Sequence, residues 1–313
     1  EAAVARADVV FLAVGTEARR GDGHADIPFV LEATRRIAAA LTGFTVVSTK
    51  STLPVGTADE VAALLRATAP HADVAVVANP EFLRDGRAIA DFRRPARIVV
   101  GLDDERARAV MTAVYRPLYL NAVPLHFLDR RTAELVKYAA NAFLATRIAL
   151  INEFTDLCEK VDADIGDLIH SLDADDRIGV RHLKPGPGFG GSSLPKDLRA
   201  LIETARAHRS PMRLLEAVVA TNEDRPRVMV EKIVGACSGG IAGRSIAVLG
   251  LTSRPHSDDT RESPSIAIAA RLIRAGAEVR VYDPEGMPAA RPLLPDAVFC
   301  GSVYEAAEGS IAA

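Results

Sequence analysis

Stretches of two hydrophobic periods alternate along the chain. Residues 8–14 (Asp-Val-Val-Phe-Leu-Ala-Val) form a continuous apolar run that ends at Gly15-Thr16, the pattern of a buried strand followed by a turn. After a polar, glycine-bearing stretch from Arg19 to Asp26, apolar residues fall at helical spacing from about Pro28 to Leu41. Strands are predicted at 45–49, 74–78 and 97–101, with a helix at 58–67 between the first two. Such alternation predicts an α/β fold with a mostly parallel sheet. Ligands of these sheets lie beyond the carboxyl ends of the strands. Gly15-Thr16, Ser51-Thr52 and the segment Glu81 to Asp85 sit at such ends, so function is expected there.

From about Asp129 to Lys160 neither glycine nor proline interrupts the chain, and one long helix is predicted. Leu135, Ala139, Ala142, Phe143 and Thr146 mark an apolar line on it, and the length suits a spine between domains or a dimer interface. Lys137 and Asn141 stand four apart, hence on one face. A short helical region is expected after the loop of residues 184–197, and Pro211 to Ala236 reads as a helix broken near Pro226. A second α/β unit then opens: strand 245–250, helix 264–275, strand 278–282 with its turn at Pro284, and a further strand at 297–300.

Composition narrows the classes. At 313 residues and 49% hydrophobic, the chain can bury the cores of two or three domains. A net charge of −3 without a long basic run argues against nucleic acid as the main partner. No apolar segment approaches the roughly 20 residues a bilayer-spanning helix needs, and no signal peptide opens the chain. Cys158, Cys237 and Cys300 are too widely spaced for a disulfide framework or a zinc site, so a cytoplasmic protein without metal is expected. The chain starts at Glu1 and fades into Ser310-Ile311-Ala312-Ala313, and both ends read as cut. No G-x-G-x-x-G follows a strand and no acidic residue closes a later one, so the first βαβ unit, which would bind a pyrophosphate, is expected to be missing.

The chemistry concentrates in residues 184–197, Lys-Pro-Gly-Pro-Gly-Phe-Gly-Gly-Ser-Ser-Leu-Pro-Lys-Asp. Its glycines and prolines force sharp turns and close approach of the backbone to something else. Two hydroxyls, a cation and a carboxylate follow in succession. Gly186, Gly188 and Gly191 spell G-x-G-x-x-G, but no apolar strand precedes them and Pro187 and Pro195 suit a strand–turn–helix poorly, so this is not a dinucleotide fingerprint. A surface loop without ligand is the competing reading, as a solvated surface charge is for Lys137 and for Arg177.

Residues 189–197 resemble the active-site loop of the nucleotide-sugar dehydrogenases, the UDP-glucose/GDP-mannose dehydrogenase family, in which the loop reads G-G-S-C-x-P-K-D and the cysteine is the covalent nucleophile. Ser193 stands at that position. The turn 51–57, the segment 79–86, the helix Glu134–Leu144 and the segment 254–264 resemble further family motifs in family order, with Ser253 and Arg254 where the family has Phe and Lys. The resemblance implies an α/β protein with a partial Rossmann-like parallel sheet, a central helical domain with a long spine helix and a partial second Rossmann-like domain. The expected divisions are 1–115 for an incomplete NAD-binding domain, 116–235 for the central domain with the active-site loop, and 236–313 for an incomplete UDP-sugar-binding domain.

It also implies an oxidoreductase that uses NAD in two hydride steps to turn a sugar C6 alcohol into a carboxylate. UDP-glucose is the favoured substrate and GDP-mannose the alternative. By resemblance the catalytic groups are Ser193, Lys137, Asn141, Asp197, Thr52 and Glu81. Cofactor contacts fall to Thr16, Thr52, Asp85, Lys196 and Arg261. Substrate contacts fall to Glu81, Phe82, Leu83, Arg84 and Asp85, to Lys137 and Asn141, and to the run His182, Leu183, Lys184, Pro185 and Gly186 with Gly190 and Arg254. Arg177 is expected to reach the neighbouring subunit's site in a homodimer. A serine hydroxyl is a far weaker nucleophile than a thiol and no adjacent histidine activates it, so the second oxidation is expected to be impaired. The other reading is a non-catalytic dimerising protein that keeps sugar-nucleotide binding.

Overall fold

In the computed structural model the described residues are 2–16, 27–84, 86–119, 122–179, 183–238 and 240–313. The polar stretch from Arg19 to Asp26, Asp85 and His182 thus lie outside the described residues. The chain folds as two compact units, Glu1–Ala140 with Arg199–Pro211, and Asn141–Leu198 with Met212–Ala313.

In the first unit the elements run β1 (Val9–Leu12), α1 (Pro28–Ala38), β2 (Thr45–Thr49), α2 (Thr57–Thr68), β3 (Val74–Ala78), α3 (Ala88–Arg93), β4 (Ile98–Gly101), α4 (Glu105–Tyr119) and β5 (Leu125–Leu128). The sheet order is β1-β2-β3-β4-β5. The first three strands are parallel, β4 meets β3 antiparallel at Ala78 and Gly101, and β5 is parallel to β4. Side chains of β2 and β3 alternate between two cores. Val47 and Val76 pack with Val61 and Leu65, while Val46, Ala75 and Val77 pack with Met111 and Tyr115. Both strands are covered on both faces: β3 is apolar throughout, while β2 also buries Thr45, Ser48 and Thr49. The β2–β3 register pairs Thr49 with Ala78. It therefore brings Lys50-Ser51-Thr52 and Asn79-Pro80-Glu81 out of the sheet side by side.

The sequence pattern had not separated α4 and β5. α4 is continuous across residues 115 and 116 and carries a proline, Pro117, inside it. Its inward face is Ala107, Met111 and Tyr115, four residues apart. β5 then pairs with β4 in the same sheet.

α5 (Arg130–Lys160) is a single helix of 31 residues, as its pattern predicts. In the second unit α6 (Ile165–Asp173) starts from Asp164, whose carboxylate accepts the Asp167 amide as an N-cap. α7 (Leu194–Ala207) follows the glycine-rich loop, and α8 (Arg213–Ala236) runs unbroken through Pro226, where a break was expected. Proline forfeits one hydrogen bond of the helix ladder. Here Arg225 and Pro226 are both buried, and packing holds the helix where propensity alone would end it. A three-stranded parallel sheet completes this unit: β6 (Ser245–Leu249), α9 (Pro264–Arg274), β7 (Glu278–Tyr282), α10 (Met287–Ala290), β8 (Val298–Phe299) and α11 (Val303–Ala307), in strand order β6-β7-β8. Ile246, Leu272, Val279 and Val281 form its core. No described helix is long and apolar enough to cross a membrane. No group of three or more acidic, cysteine or histidine side chains among the described residues could hold a metal ion.

Candidate active site

The first unit gathers sequence-predicted residues at its strand exits and on α5. Lys137, on α5, is almost fully buried and donates from Nζ to Glu81 Oε1 at 2.9 Å. The same oxygen meets Thr52 Oγ1 at 3.5 Å, and Glu81 Oε2 accepts the Leu83 amide. Glu81 thus folds its own loop back while holding the lysine. Thr16 donates its hydroxyl to the Thr52 carbonyl at 3.1 Å. Phe82 lies under the Arg97 guanidinium, 4.0 Å from its ring centroid, with the Lys137 ammonium 5.8 Å from the same ring. Arg84 is exposed and tied to Asp91 by its side chain and its amide.

The turn beneath this cluster is built from polar groups with no freedom left. Asn79, fully buried, donates to the Val99 carbonyl at 2.7 Å and accepts the Tyr115 hydroxyl, whose pKa burial pushes up to about 12. Glu134, one helical turn before Lys137, receives the Gly56 amide at 2.6 Å and the Ala58 amide at 2.8 Å. It caps α2 from another element, since Gly56, at φ +99°, has no side chain to do so. Burial pushes the Glu134 carboxyl up to about 7 against the pull of those amides. Lys50 also lines this region; burial drives its ammonium down to about 8, Glu81 opposes the shift and Lys137 adds to it.

The second unit builds its cluster on the glycine-rich loop. Asn222 of α8 grips Phe189 from both sides, accepting its amide at 2.8 Å and donating to its carbonyl at 2.9 Å. Asn152 of α5 accepts the Gly186 amide at 2.8 Å, and the buried Arg225 donates to the Gly186 carbonyl at 3.2 Å while paired with Asp156. Further along, the Gly191 amide donates to the Arg261 carbonyl at 2.9 Å and the Ser192 amide to Asp259 Oδ2 at 3.2 Å. Asp259 also receives the Arg261 guanidinium at 2.7 Å. Although burial works against it, these donors hold its carboxyl below the usual range. Gly190 has to be glycine: a Cβ there would lie 2.1 Å from the Glu262 carbonyl oxygen.

This scaffold delivers Ser193 to the start of α7, where its carbonyl receives the Asp197 amide at 2.8 Å. Asp197 is buried, and its Oδ2 accepts the side-chain amide of Asn141 at 2.7 Å. The Ser193 hydroxyl stands 3.5 Å from that of Ser192. Lys196 lies in the first turn of the same helix.

Within their own units, then, Thr16, Thr52, Glu81 and Lys137 come together, as do Gly190, Ser193, Asn141, Asp197 and Arg261. Leu183 is buried, Lys184 and Pro185 are exposed, and the Arg254 carbonyl accepts the Thr252 hydroxyl at 3.0 Å. Arg177 is exposed and paired with Asp175 in its own loop. Sequence reasoning missed Lys50, Glu134, Asn152, Asn222, Arg225 and Asp259, all acting across large sequence distances. For Glu134, Asn152, Asn222 and Arg225 the available signal was polar residues interrupting the apolar faces of α5 and α8.

The donor set at the strand exits accords with part of the NAD that the sequence implies. Thr16, Ser51 and Thr52 present hydroxyls that match ribose and amide groups. The amides of Gly56 and Ala58 at the α2 N-terminus are already taken by Glu134, so they are not a phosphate seat.

Comparison with known proteins covers nearly the whole chain. Residues 1–119 match the NAD binding domain of the UDP-glucose/GDP-mannose dehydrogenase family, residues 131–224 its central domain and residues 247–313 its UDP binding domain. The chain is 58% identical over 307 residues to a UDP-glucose 6-dehydrogenase of Rhizobium meliloti (strain 1021), covering 97% of this chain and 70% of that protein. It is 42% identical to one of Bacillus subtilis (strain 168), covering 99% of this chain and again 70% of the relative. Its fold superposes on a UDP-glucose dehydrogenase from Pyrobaculum islandicum with a TM-score of 0.89 at 38% identity, over 96% of this chain and 70% of that one.

Proposed function

The chain belongs to the UDP-glucose/GDP-mannose dehydrogenase family, and from that premise we propose that it binds UDP-glucose and oxidises the C6 alcohol of its sugar with NAD. The observation that carries the reading is the ion pair between the buried Lys137 and the half-buried Glu81 at the parallel strand exits, with Thr52 on the same carboxylate. An ion pair so placed costs desolvation and is kept where its charges are used.

In this reading Glu81 and Thr52 hold a water or the substrate alcohol, and the alcohol proton passes to a basic group of this cluster. Lys137 and Asn141 donate to the oxygen as negative charge develops on it. Asp197 orients Asn141 through their 2.7 Å bond. NAD, when bound, supplies the hydride acceptor. Thr16 and Thr52 are assigned to its hydroxyl-bearing part, and Lys196, Arg261 and Asp85 to its remaining contacts. The segment Glu81 to Asp85, the loop from His182 to Gly186, Gly190 and Arg254 are assigned to the sugar nucleotide.

The reaction carried by Ser193 differs from that of a thiol enzyme. Aldehyde oxidation through a covalent adduct needs a nucleophile, and a serine hydroxyl is poorly acidic without an adjacent base. Among the described residues its nearest side-chain partner is another hydroxyl, that of Ser192. The first oxidation is therefore the reaction assigned to this chain, with the second strongly slowed. We assign the NAD-binding region to residues 1–128, extended through β5 because β5 completes the first sheet, the central region to 129–235, and the UDP-binding region to 236–313. The exposed Phe143, Leu150 and Leu157 on α5 are assigned to a homodimer interface, with Arg177 serving the partner's site. The buried free cysteines accord with a cytoplasmic protein.

Calorimetric titration with UDP-glucose and with GDP-mannose tests the substrate, followed by NADH formation against UDP-glucose consumed. Micromolar to millimolar binding of UDP-glucose alone and about one NADH per sugar is the expected result. Absence of binding to UDP-glucose refutes the reading.

A further inference from the structure

Lys50 is a charged group of this region that the assignment above leaves unused. It leaves the sheet directly after β2, and its Nζ donates to the Pro80 carbonyl at 3.3 Å. Pro80 is the residue before Glu81, so the bond ties the exit of β2 to the loop that presents the carboxylate. No carboxylate lies within ion-pair distance of this ammonium among the described residues. The groups that face it are Glu81 after β3, Lys137 on α5, and Tyr115 on α4 with its ring centroid 6.0 Å away. Asp91 and Arg97 line the same crevice with Lys50, Glu81 and Phe82. Arg97 stacks on Phe82 and Asp91 is engaged by Arg84.

Keeping an ammonium in such a place is costly, and a fold under no other constraint would use Met or Leu there. The arrangement is a carboxylate acted on by two cations: Lys137 bonded to Glu81, and Lys50 acting on it through space and on its loop through Pro80. Glu81 in turn holds the Leu83 amide. Displacement of the Pro80 carbonyl would therefore shift both the loop from Glu81 to Arg84 and the partner of Lys137.

We propose that Lys50 is a positioning residue for this site, which pins the loop from Pro80 to Leu83 and balances the Glu81 charge so that the Glu81–Lys137 pair stays seated for the sugar nucleotide. The inference deepens the UDP-glucose reading and rests on it for its binding arm. As the charge is what acts, Lys50 losing its proton at about pH 8 has a consequence that a purely spatial role lacks. Binding should weaken as pH rises through that value.

The test is calorimetric titration of UDP-glucose into the parent chain, Lys50→Arg and Lys50→Met between about pH 6.5 and about 9, spanning the ordinary working range. Amide hydrogen exchange of residues 79–84 is followed in the same samples. The parent is expected to lose affinity severalfold across about pH 8, and Lys50→Arg, which stays charged, to keep a flat profile. Lys50→Met is expected to bind at least roughly tenfold more weakly near pH 7, without the alkaline limb, and to exchange faster at 79–84. A Lys50→Met variant with the parent's affinity, profile and exchange overturns the proposal. If the parent binds no UDP-glucose, the substrate reading has failed on its own, and unchanged exchange at 79–84 in Lys50→Met still overturns the role of Lys50. Should Lys50→Met not fold, a Lys50→Arg profile that keeps the parent's alkaline limb overturns it.

Discussion

Asp197 and Asn141 are joined at 2.7 Å, carboxylate to side-chain amide, with the aspartate buried in the first turn of α7 and the asparagine on α5. A hydrogen bond to a buried charge contributes about 1.5–3 kcal/mol, and its loss strands part of that charge. Asn141→Ala is accordingly expected to lower unfolding stability by about 2 kcal/mol in urea titration and to slow NADH formation at least about tenfold. A variant with unchanged stability and rate would show that the pair holds nothing in place.

On the proposed reading, Ser193 limits how far the reaction proceeds. Ser193→Cys is expected to raise the yield from about one NADH to about two per UDP-glucose, because a thiol forms and releases the acyl adduct that a hydroxyl does not. Chromatography of the product distinguishes the acid from the aldehyde. If the parent already yields the acid at the rate of Ser193→Cys, the hydroxyl suffices and the assignment is wrong.

Gly190 and Gly186 lie in one loop and should respond differently. A Cβ on Gly190 meets the Glu262 oxygen at 2.1 Å and Pro264 Cδ at 3.0 Å, whereas one on Gly186 meets nothing within 4 Å. Gly190→Ala is expected to cost about 1–3 kcal/mol and to abolish UDP-glucose binding, as the loop can no longer lie on the segment before α9. Gly186→Ala should fall within about 0.5 kcal/mol of the parent in thermal or urea unfolding. Equal effects of the two substitutions would contradict the close approach.

Glu134 should make stability fall with rising pH. Its carboxyl titrates at about 7 in the folded protein against 4.5 for the free group, chiefly because burial disfavours the anion. Between those values the folded state binds more protons than the unfolded one, so this group's contribution is complete below about 4.5 and lost as pH passes about 7. The difference in unfolding free energy between the parent and Glu134→Gln is expected to change by up to roughly 3 kcal/mol over that window. A constant difference across the window would place the Glu134 titration elsewhere.

Much of the fold was legible along the chain. β2 and β3 stand at the predicted 45–49 and 74–78 because a strand covered on both faces favours short uncharged, mostly β-branched runs such as these. The long helix was legible because nothing in it breaks helical geometry. The close approach of the loop backbone was legible as well, since its glycines and prolines make local conformational demands and Gly190 lies against the Glu262 carbonyl.

Local rules failed where long-range packing outweighed them. Pro226 was read as a break, yet α8 continues through it because its neighbourhood is buried. α4 and β5 escaped notice because Pro117 argues against a helix and Leu125–Leu128 is short and only partly buried.

What the sequence determined by itself, then, is the set of elements whose period or backbone chemistry is local, together with the residue types available for reaction. Only the tertiary structure decided which of those groups meet. Glu134 reaches an amide 78 residues away, Lys137 a carboxylate 56 away and Asn222 a loop 33 away. Such bonds depend on strand register and helix packing, which are properties of the whole sheet and core and leave no periodic trace in the chain.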